Sequence, residues 1–169
     1  MCTNLRVESV LCVCVCVCVC VGLESHYSSS YLLVQIFPLF CLFLKFALDG
    51  YYHQDIQIGD RVAWPTNIGW MMGPWLLFQL INGATIGLFN GIASTESFCE
   101  FIDEAEISML GVVPSLVKSW QGSNAVENCD WSKIRRFSST GEPSDPVSSL
   151  WLMSRVKGYA PVIDYCGGS

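Results

Sequence analysis

The sequence contains little charge, and most of the charge that it has is negative. Only 14% of the 169 residues are charged, with nine Lys and Arg against fifteen Asp and Glu. No run of basic residues is present, so we predict no nucleic-acid partner. The apolar fraction of 51% is too high for an intrinsically disordered chain. The length is enough for one domain with a buried core.

The ten cysteines lack the spacing of a zinc site. Five of them lie in VLCVCVCVCVCV, at residues 10–21, where Cys alternates with Val. Zinc sites draw a few ligands from separate loops rather than five from one strand, so no metal site is predicted. An in-frame TG repeat in DNA would be translated as this alternation. We interpret the tract as translated repeat DNA rather than as a functional element.

No uninterrupted apolar run reaches the roughly 20 residues of a membrane helix. The longest candidate, residues 31–48, is broken by Gln35, Pro38 and Lys45. One interpretation is a membrane anchor or targeting segment, and the other is apolar sequence outside any fold. We favour the second, and predict that residues 1–50 are unstructured or form an isolated apolar helix.

Residues 51–169 alternate between short apolar runs and amphipathic segments. Parallel strands need long crossover connections, and helices usually supply them. The alternation therefore predicts an α/β fold with a mainly parallel sheet. The predicted strands are residues 61–64, 84–89, 107–113, 134–137 and 161–165, and the predicted helices are residues 71–81, 96–105, 114–120 and one that begins at Asp145 and Pro146.

Three loops that follow predicted strands are candidates for a binding site. In an open α/β sheet, ligands bind beyond the carboxyl ends of the strands. The loops read WPTNIGWMMG at residues 64–73, SSTGEP at residues 138–143 and DYCGGS at residues 164–169. Taken one by one, each fits an ordinary turn, a helix cap or a chain end.

Together and in this order, the three loops resemble the central adenylating region of AMP-forming acyl-CoA synthetases, most of all the plant acyl-activating enzymes similar to acetyl-CoA synthetase. The resemblance runs from about residue 54 to 168, through MLGVVPSLVKSW and VIDYCGG. It implies a fragment of the large N-terminal domain of an adenylate-forming enzyme. It also implies activation of a small-molecule carboxylate in fatty acid metabolism. ATP and Mg²⁺ would give an acyl-adenylate, and CoA would then take the acyl group.

The resemblance also assigns roles to residues. Trp70, Met71 and Met72 would flank the acyl and pantetheine tunnel, although a place in a helix core is the alternative. Thr140 and Gly167 would line the same tunnel, and the glycine would leave room for a longer acyl chain. Cys166 takes the place of an aromatic that stacks on adenine, and whether Tyr165 replaces it stays open. The implied nucleotide-binding residues are Gly141, Glu142, Pro143, Asp164, Tyr165, Cys166, Gly167, Gly168 and Ser169.

The family's phosphate loop, magnesium-binding Glu and catalytic Lys have no counterpart in this sequence, and Ser169 stands at the position of the family's Thr. We therefore expect a truncated chain without detectable adenylation and with no complete catalytic set. The alternatives are a membrane-anchored, non-catalytic protein with a remnant nucleotide pocket, and an unrelated α/β binding domain. Family members are often peroxisomal, but the terminal Gly-Gly-Ser is not a Ser-Lys-Leu address, so no compartment is predicted.

Overall fold

The structure is a computed structural model that describes residues 30–166, with side chains for residues 40–166. The Cys-Val tract and residues 167–169 lie outside the described residues. Five strands form one sheet in the order β2-β1-β3-β4-β5, and every neighbouring pair is parallel. The strands are β1 (Arg61–Ala63), β2 (Thr85–Gly87), β3 (Met109–Val112), β4 (Arg136–Ser139) and β5 (Val162–Asp164).

A helix follows each of the first four strands, so the predicted α/β fold with a parallel sheet is confirmed. The helices are α1 (Ser30–Tyr52), α2 (Met72–Phe78), α3 (Glu96–Glu104), α4 (Pro114–Ser123) and α5 (Pro146–Met153), with 3₁₀ turns at Gln79–Asn82 and Trp131–Lys133.

Local hydrogen bonds and backbone angles explain where several elements begin and end. The helix predicted for residues 71–81 ends at Phe78 and continues as the 3₁₀ turn, which Gly83 closes at a φ of 75°. The predicted cap of α5 is confirmed, because the Asp145 carboxylate accepts a hydrogen bond from the N–H of Val147 at 3.2 Å. The fourth strand begins at Arg136 rather than at residue 134, because a 3₁₀ turn capped by Asp130 precedes it.

Two apolar clusters cover the two faces of the sheet. Ala63 and Leu110 belong to the first cluster, whereas their neighbours Val62 and Met109 belong to the second. Successive strand side chains point to opposite faces, which accounts for this division. Gly111 lies on the second face, where a Cβ atom would come within 1.9 Å of the Trp64 ring. The large indole therefore packs directly on the strand backbone.

The last turns of α1 pack against the domain. Phe46 is buried in the second cluster, and the Gln79 side-chain amide donates to its carbonyl oxygen at 3.2 Å. Asn82 donates to the carbonyl oxygen of Ala47 at 2.9 Å. The approach is so close at Gly50 that a Cβ atom would lie 1.7 Å from Oε1 of Gln79. This helix is therefore not isolated, and packing begins before the boundary that composition suggests at residue 50.

The apolar stretch of residues 31–48 is helical, which is one of the two states predicted for residues 1–50. Among residues 30–166, no helix combines the length and the apolar character needed to span a bilayer. A membrane anchor in this stretch is therefore not supported.

Candidate functional site

The Gly-Glu-Pro loop and the loop after β5 leave the same edge of the sheet side by side. Ser139 pairs with Asp164 in the register of β4 and β5. Beyond that pair, the N–H of Tyr165 donates to the carbonyl oxygen of Ser139 at 2.8 Å. The Thr140 hydroxyl donates to the carbonyl oxygen of Tyr165 at 2.5 Å. Two segments that the resemblance assigns to the nucleotide are thus brought together, and their binding role stays a prediction.

The Gly-Glu-Pro loop is fixed to the beginning of α4. Gly141 has a φ of 87°, in the left-handed region that favours glycine. The Glu142 carboxylate accepts hydrogen bonds from the Ser115 N–H at 2.8 Å and from the Ser115 hydroxyl at 2.6 Å. These bonds hold the pKa of Glu142 below its ordinary value. The Glu142 side chain therefore anchors the loop, and Gly141 and Pro143 stay exposed.

The loop after β5 presents Asp164 and Cys166 to solvent, whereas Tyr165 is half-buried between them. The Tyr165 ring meets the Trp75 ring edge-on, with 6.4 Å between centroids. Its hydroxyl donates to the Asp49 carboxylate on α1 at 2.6 Å. Tyr165 is therefore already packed against protein at its ring and its hydroxyl. Whether its ring also stacks on adenine stays open. Gly167, Gly168 and Ser169 lie outside the described residues.

A cleft of about 690 Å³ lies beyond the ends of β1 and β2. Trp70 lines it and is 69% exposed, whereas Met71 is an exposed neighbour that does not line it. Met72 is buried in the second apolar cluster, where the alternative interpretation expected it. Thr140, after the end of β4, does not line this cleft either. Of the described residues assigned to the acyl tunnel, Trp70 is the one at the cleft.

The opposite wall of the cleft comes from the loop after β2, which was not among the three candidate loops. Leu88 and Phe89 line the cleft there, and Phe98 joins them from α3. The rule that ligands bind beyond strand ends applies equally to this loop. The position of this loop after a predicted strand could therefore have identified it from the sequence, although the loop carries no polar motif.

Positive charge is concentrated at the amino ends of the strands, away from these loops. Asp60 is buried there and accepts bonds from Arg135 and Arg136. Burial acts to raise the pKa of Asp60, but hydrogen bonds from Gln57 and Ser108, together with the two guanidinium groups, hold it below its ordinary value. Among the described residues, every Lys and Arg already contacts a carboxylate or an aromatic ring.

No protein-family model matches the chain. A stretch of 127 residues, 75% of the chain, is 56% identical to probable acyl-activating enzyme 17, peroxisomal, of Arabidopsis thaliana. Over the same length it is 54% identical to hexanoyl-CoA synthase of Cannabis sativa. The chain spans 18% of the length of each relative. In a 169-residue chain, a match of this length cannot begin after residue 43, so it includes the end of α1.

Solved structures agree on the fold. Acetoacetyl-CoA synthetase from Streptomyces lividans superposes with a TM-score of 0.64 at 22% identity, covering 73% of this chain and 21% of that one. The anthranilate CoA ligase AuaEII in complex with anthranoyl-AMP gives a TM-score of 0.59 at 17% identity, covering 74% of this chain and 25% of that one. The described residues thus have the fold of a part of the N-terminal domain of adenylate-forming enzymes. The sequence matches show that the segment is homologous to part of the plant acyl-activating enzymes and of the hexanoyl-CoA synthase.

Proposed function

We propose that the homologous segment forms part of the nucleotide- and acyl-binding centre of an ATP-dependent acyl-CoA synthetase. In the proposed reaction a carboxylate attacks the α-phosphate of ATP, which gives an acyl-adenylate and pyrophosphate, and the thiol of CoA then takes the acyl group. The observation that carries the proposal is the adjacency of the Gly-Glu-Pro loop and the loop after β5, joined by the bonds of Tyr165 to Ser139 and Thr140.

The proposed substrate class is a medium-chain carboxylate. The name of the Cannabis sativa relative, hexanoyl-CoA synthase, supports a chain of this size. The cleft beside Trp70 has apolar walls and a volume of about 690 Å³, which suits an alkyl chain or a pantetheine arm. The glycine at position 167 supports the same size, because it adds no side chain where the family's acetate-specific members have a bulky one. The names of two relatives in Arabidopsis thaliana support a peroxisomal setting.

We further propose that residues 30–166 contribute binding rather than turnover. An anionic carboxylate that approaches a polyphosphate needs positive charge at the developing transition state. In the described part of the chain, each basic side chain already has a partner, and no group of three His, Cys, Asp or Glu could hold a metal ion. In such reactions Mg²⁺ would supply charge neutralisation.

The test is the binding of a stable hexanoyl-adenylate mimic, hexanoylsulfamoyl adenosine, to the 169-residue polypeptide by titration calorimetry. We expect binding that Gly141→Ala weakens about tenfold, because alanine disfavours the left-handed backbone that shapes the loop. Gly122→Ala is the matched control, since a Cβ atom there meets nothing within 4 Å. Absence of binding to the unaltered polypeptide would contradict the proposed function. Pyrophosphate release above background would contradict a binding-only contribution.

A further inference from the structure

Asp49 is a buried carboxylate on α1 that contacts the loop after β5. Only 2% of the residue is exposed. Its carboxylate accepts from the Tyr165 hydroxyl at 2.6 Å and pairs with the ammonium group of Lys45, one helical turn earlier. The exposed imidazole of His53 lies 3.8 Å from the same carboxylate. Asp49 and Tyr165 are 116 positions apart, so this bond joins the first described helix to the loop after the last strand.

The part of α1 that carries Asp49 is also held by side chains of the 3₁₀ turn that follows α2. The side-chain amides of Gln79 and Asn82 donate to helix carbonyl oxygens at 3.2 and 2.9 Å, and Gly50 packs directly on Gln79. Gln79 is itself fully buried, and it also donates to the carbonyl oxygen of Trp75 at 2.7 Å. Asp49 is therefore presented by a fixed helix rather than by a mobile one.

Tyr165 is held at its backbone by β4 and at its ring by Trp75. The backbone bonds to Ser139 and Thr140 set where the chain leaves the sheet. The Asp49 bond and the Trp75 contact then fix the Tyr165 side chain. Asp164 is held by its pairing with Ser139, so Cys166 is the exposed neighbour whose position depends on Tyr165.

We propose that Asp49 is a positioning residue: through the Tyr165 hydroxyl it orients Tyr165 and Cys166, the described part of the loop after β5, for the nucleotide. The nucleotide part rests on the function proposed above. The resemblance to acyl-CoA synthetases runs from about residue 54 to 168, so it assigned no role to Asp49. The homologous stretch nevertheless includes Asp49, because it begins no later than residue 43.

The test compares Asp49→Ala, Tyr165→Phe and their double variant in the 169-residue polypeptide, with Tyr159→Phe, at an 82% exposed site, as the matched control. Hydrogen exchange measures loop order at the amide of Tyr165, against the β4 amide of Phe137, which donates to Pro161 at 2.9 Å. Losing one hydrogen bond should speed exchange at Tyr165 about tenfold and leave Phe137 within about twofold. Calorimetry with AMP should show an affinity about fivefold to tenfold lower.

Two features separate positioning from a general loss of stability. The double variant should be no worse than the poorer single variant, because both remove one bond. Asp49→Asn, which keeps an acceptor for the hydroxyl, should recover most of the affinity. Unchanged exchange at Tyr165 in Tyr165→Phe, which deletes only the hydroxyl, would overturn the proposal. So would faster exchange with unchanged AMP affinity. If the unaltered polypeptide binds no AMP while exchange responds locally, the proposed function fails and the link from Asp49 to the loop stands.

Discussion

The two ends of the sheet differ in how they use polar groups. At the amino ends of the strands, Asp60, Arg135, Arg136 and Ser108 bond to one another, and Asp60 and Arg136 are buried. At the carboxyl ends, Glu142, Asp164 and Cys166 stay exposed, whereas Tyr165 is half-buried and bonds to Asp49. The amino ends therefore hold a buried ion-pair network, whereas several polar side chains at the carboxyl ends stay at the surface even where, as at Glu142, they also bond to the protein.

The charged groups at the two ends of the strands differ in the same way. Buried charges are stable only with their partners, so Arg136, whose side chain is 4% exposed, stays paired with Asp60. At the carboxyl ends of the strands, Gly141 and Pro143 are exposed, and the Glu142 carboxylate accepts two hydrogen bonds from Ser115. Lys118 is paired with Asp145 at 3.0 Å.

The largest effect is expected from breaking the ion-pair network at the amino ends of the strands. Asp60→Asn should lower the free energy of unfolding by about 3–5 kcal/mol, because it leaves the guanidinium group of Arg136 buried without its main counterion. Urea denaturation followed by far-UV circular dichroism measures this loss.

The matched control is Asp55→Asn, which removes the other carboxylate near Arg136. Asp55 lies 3.4 Å from Arg136 and its side chain is 68% exposed, so its pair is screened by water. The expected loss is below about 1 kcal/mol. Equal losses for the two variants would show that burial does not set the strength of the amino-end network.

Much of the fold was predictable from the sequence, because it depends on neighbours in the chain. The continuous apolar run at residues 107–113 predicted β3, and Asp145 before Pro146 predicted the beginning of α5. The docking of α1 was not predictable, since its partner Gln79 is 33 positions from Phe46. Composition marked the α1 segment as foreign, although its last turns are packed and homologous.

The candidate site was predictable in part for the same reason. The loops at Gly141 and Asp164 are adjacent because they follow β4 and β5, which pair in parallel. Loops that follow parallel strands meet at the same end of the sheet, so the position of each motif after a predicted strand indicated this adjacency. The partners of individual side chains do not follow from motifs. Glu142 binds Ser115, 27 positions away, and Tyr165 binds Asp49, so both are committed to contacts that only the fold creates.

A smaller effect is expected at the carboxyl end. Glu142→Ala should lower the free energy of unfolding by about 1 kcal/mol, because it removes the acceptor of the Ser115 N–H in the first turn of α4. Thermal unfolding measures it, with Glu127→Ala at another exposed acidic position as the control, expected within about 0.5 kcal/mol. A loss as large as that of Asp60→Asn would contradict the division between the two ends.

The smallest effect is a difference in acid sensitivity between the two ends. The pKa values of Asp60 and Glu142 are both lowered in the folded protein. A lowered pKa contributes stability that is fully present above the unfolded value, about 4, and is lost as the pH falls through the folded value. Unfolding curves between about pH 5 and pH 2 should therefore show a shallower loss in Asp60→Asn than in the unaltered protein.

Glu142→Gln should retain most of the acid sensitivity, because an exposed carboxylate is screened by water and contributes less. The comparison uses amides at both positions, so that each variant removes one titrating group and keeps its size. If Glu142→Gln flattened the pH dependence as much as Asp60→Asn, the exposed end would be as strongly coupled to folding as the buried one. The Glu142 loop at the carboxyl ends of the strands would then contribute to folding as strongly as the buried network, rather than form a surface available to a ligand.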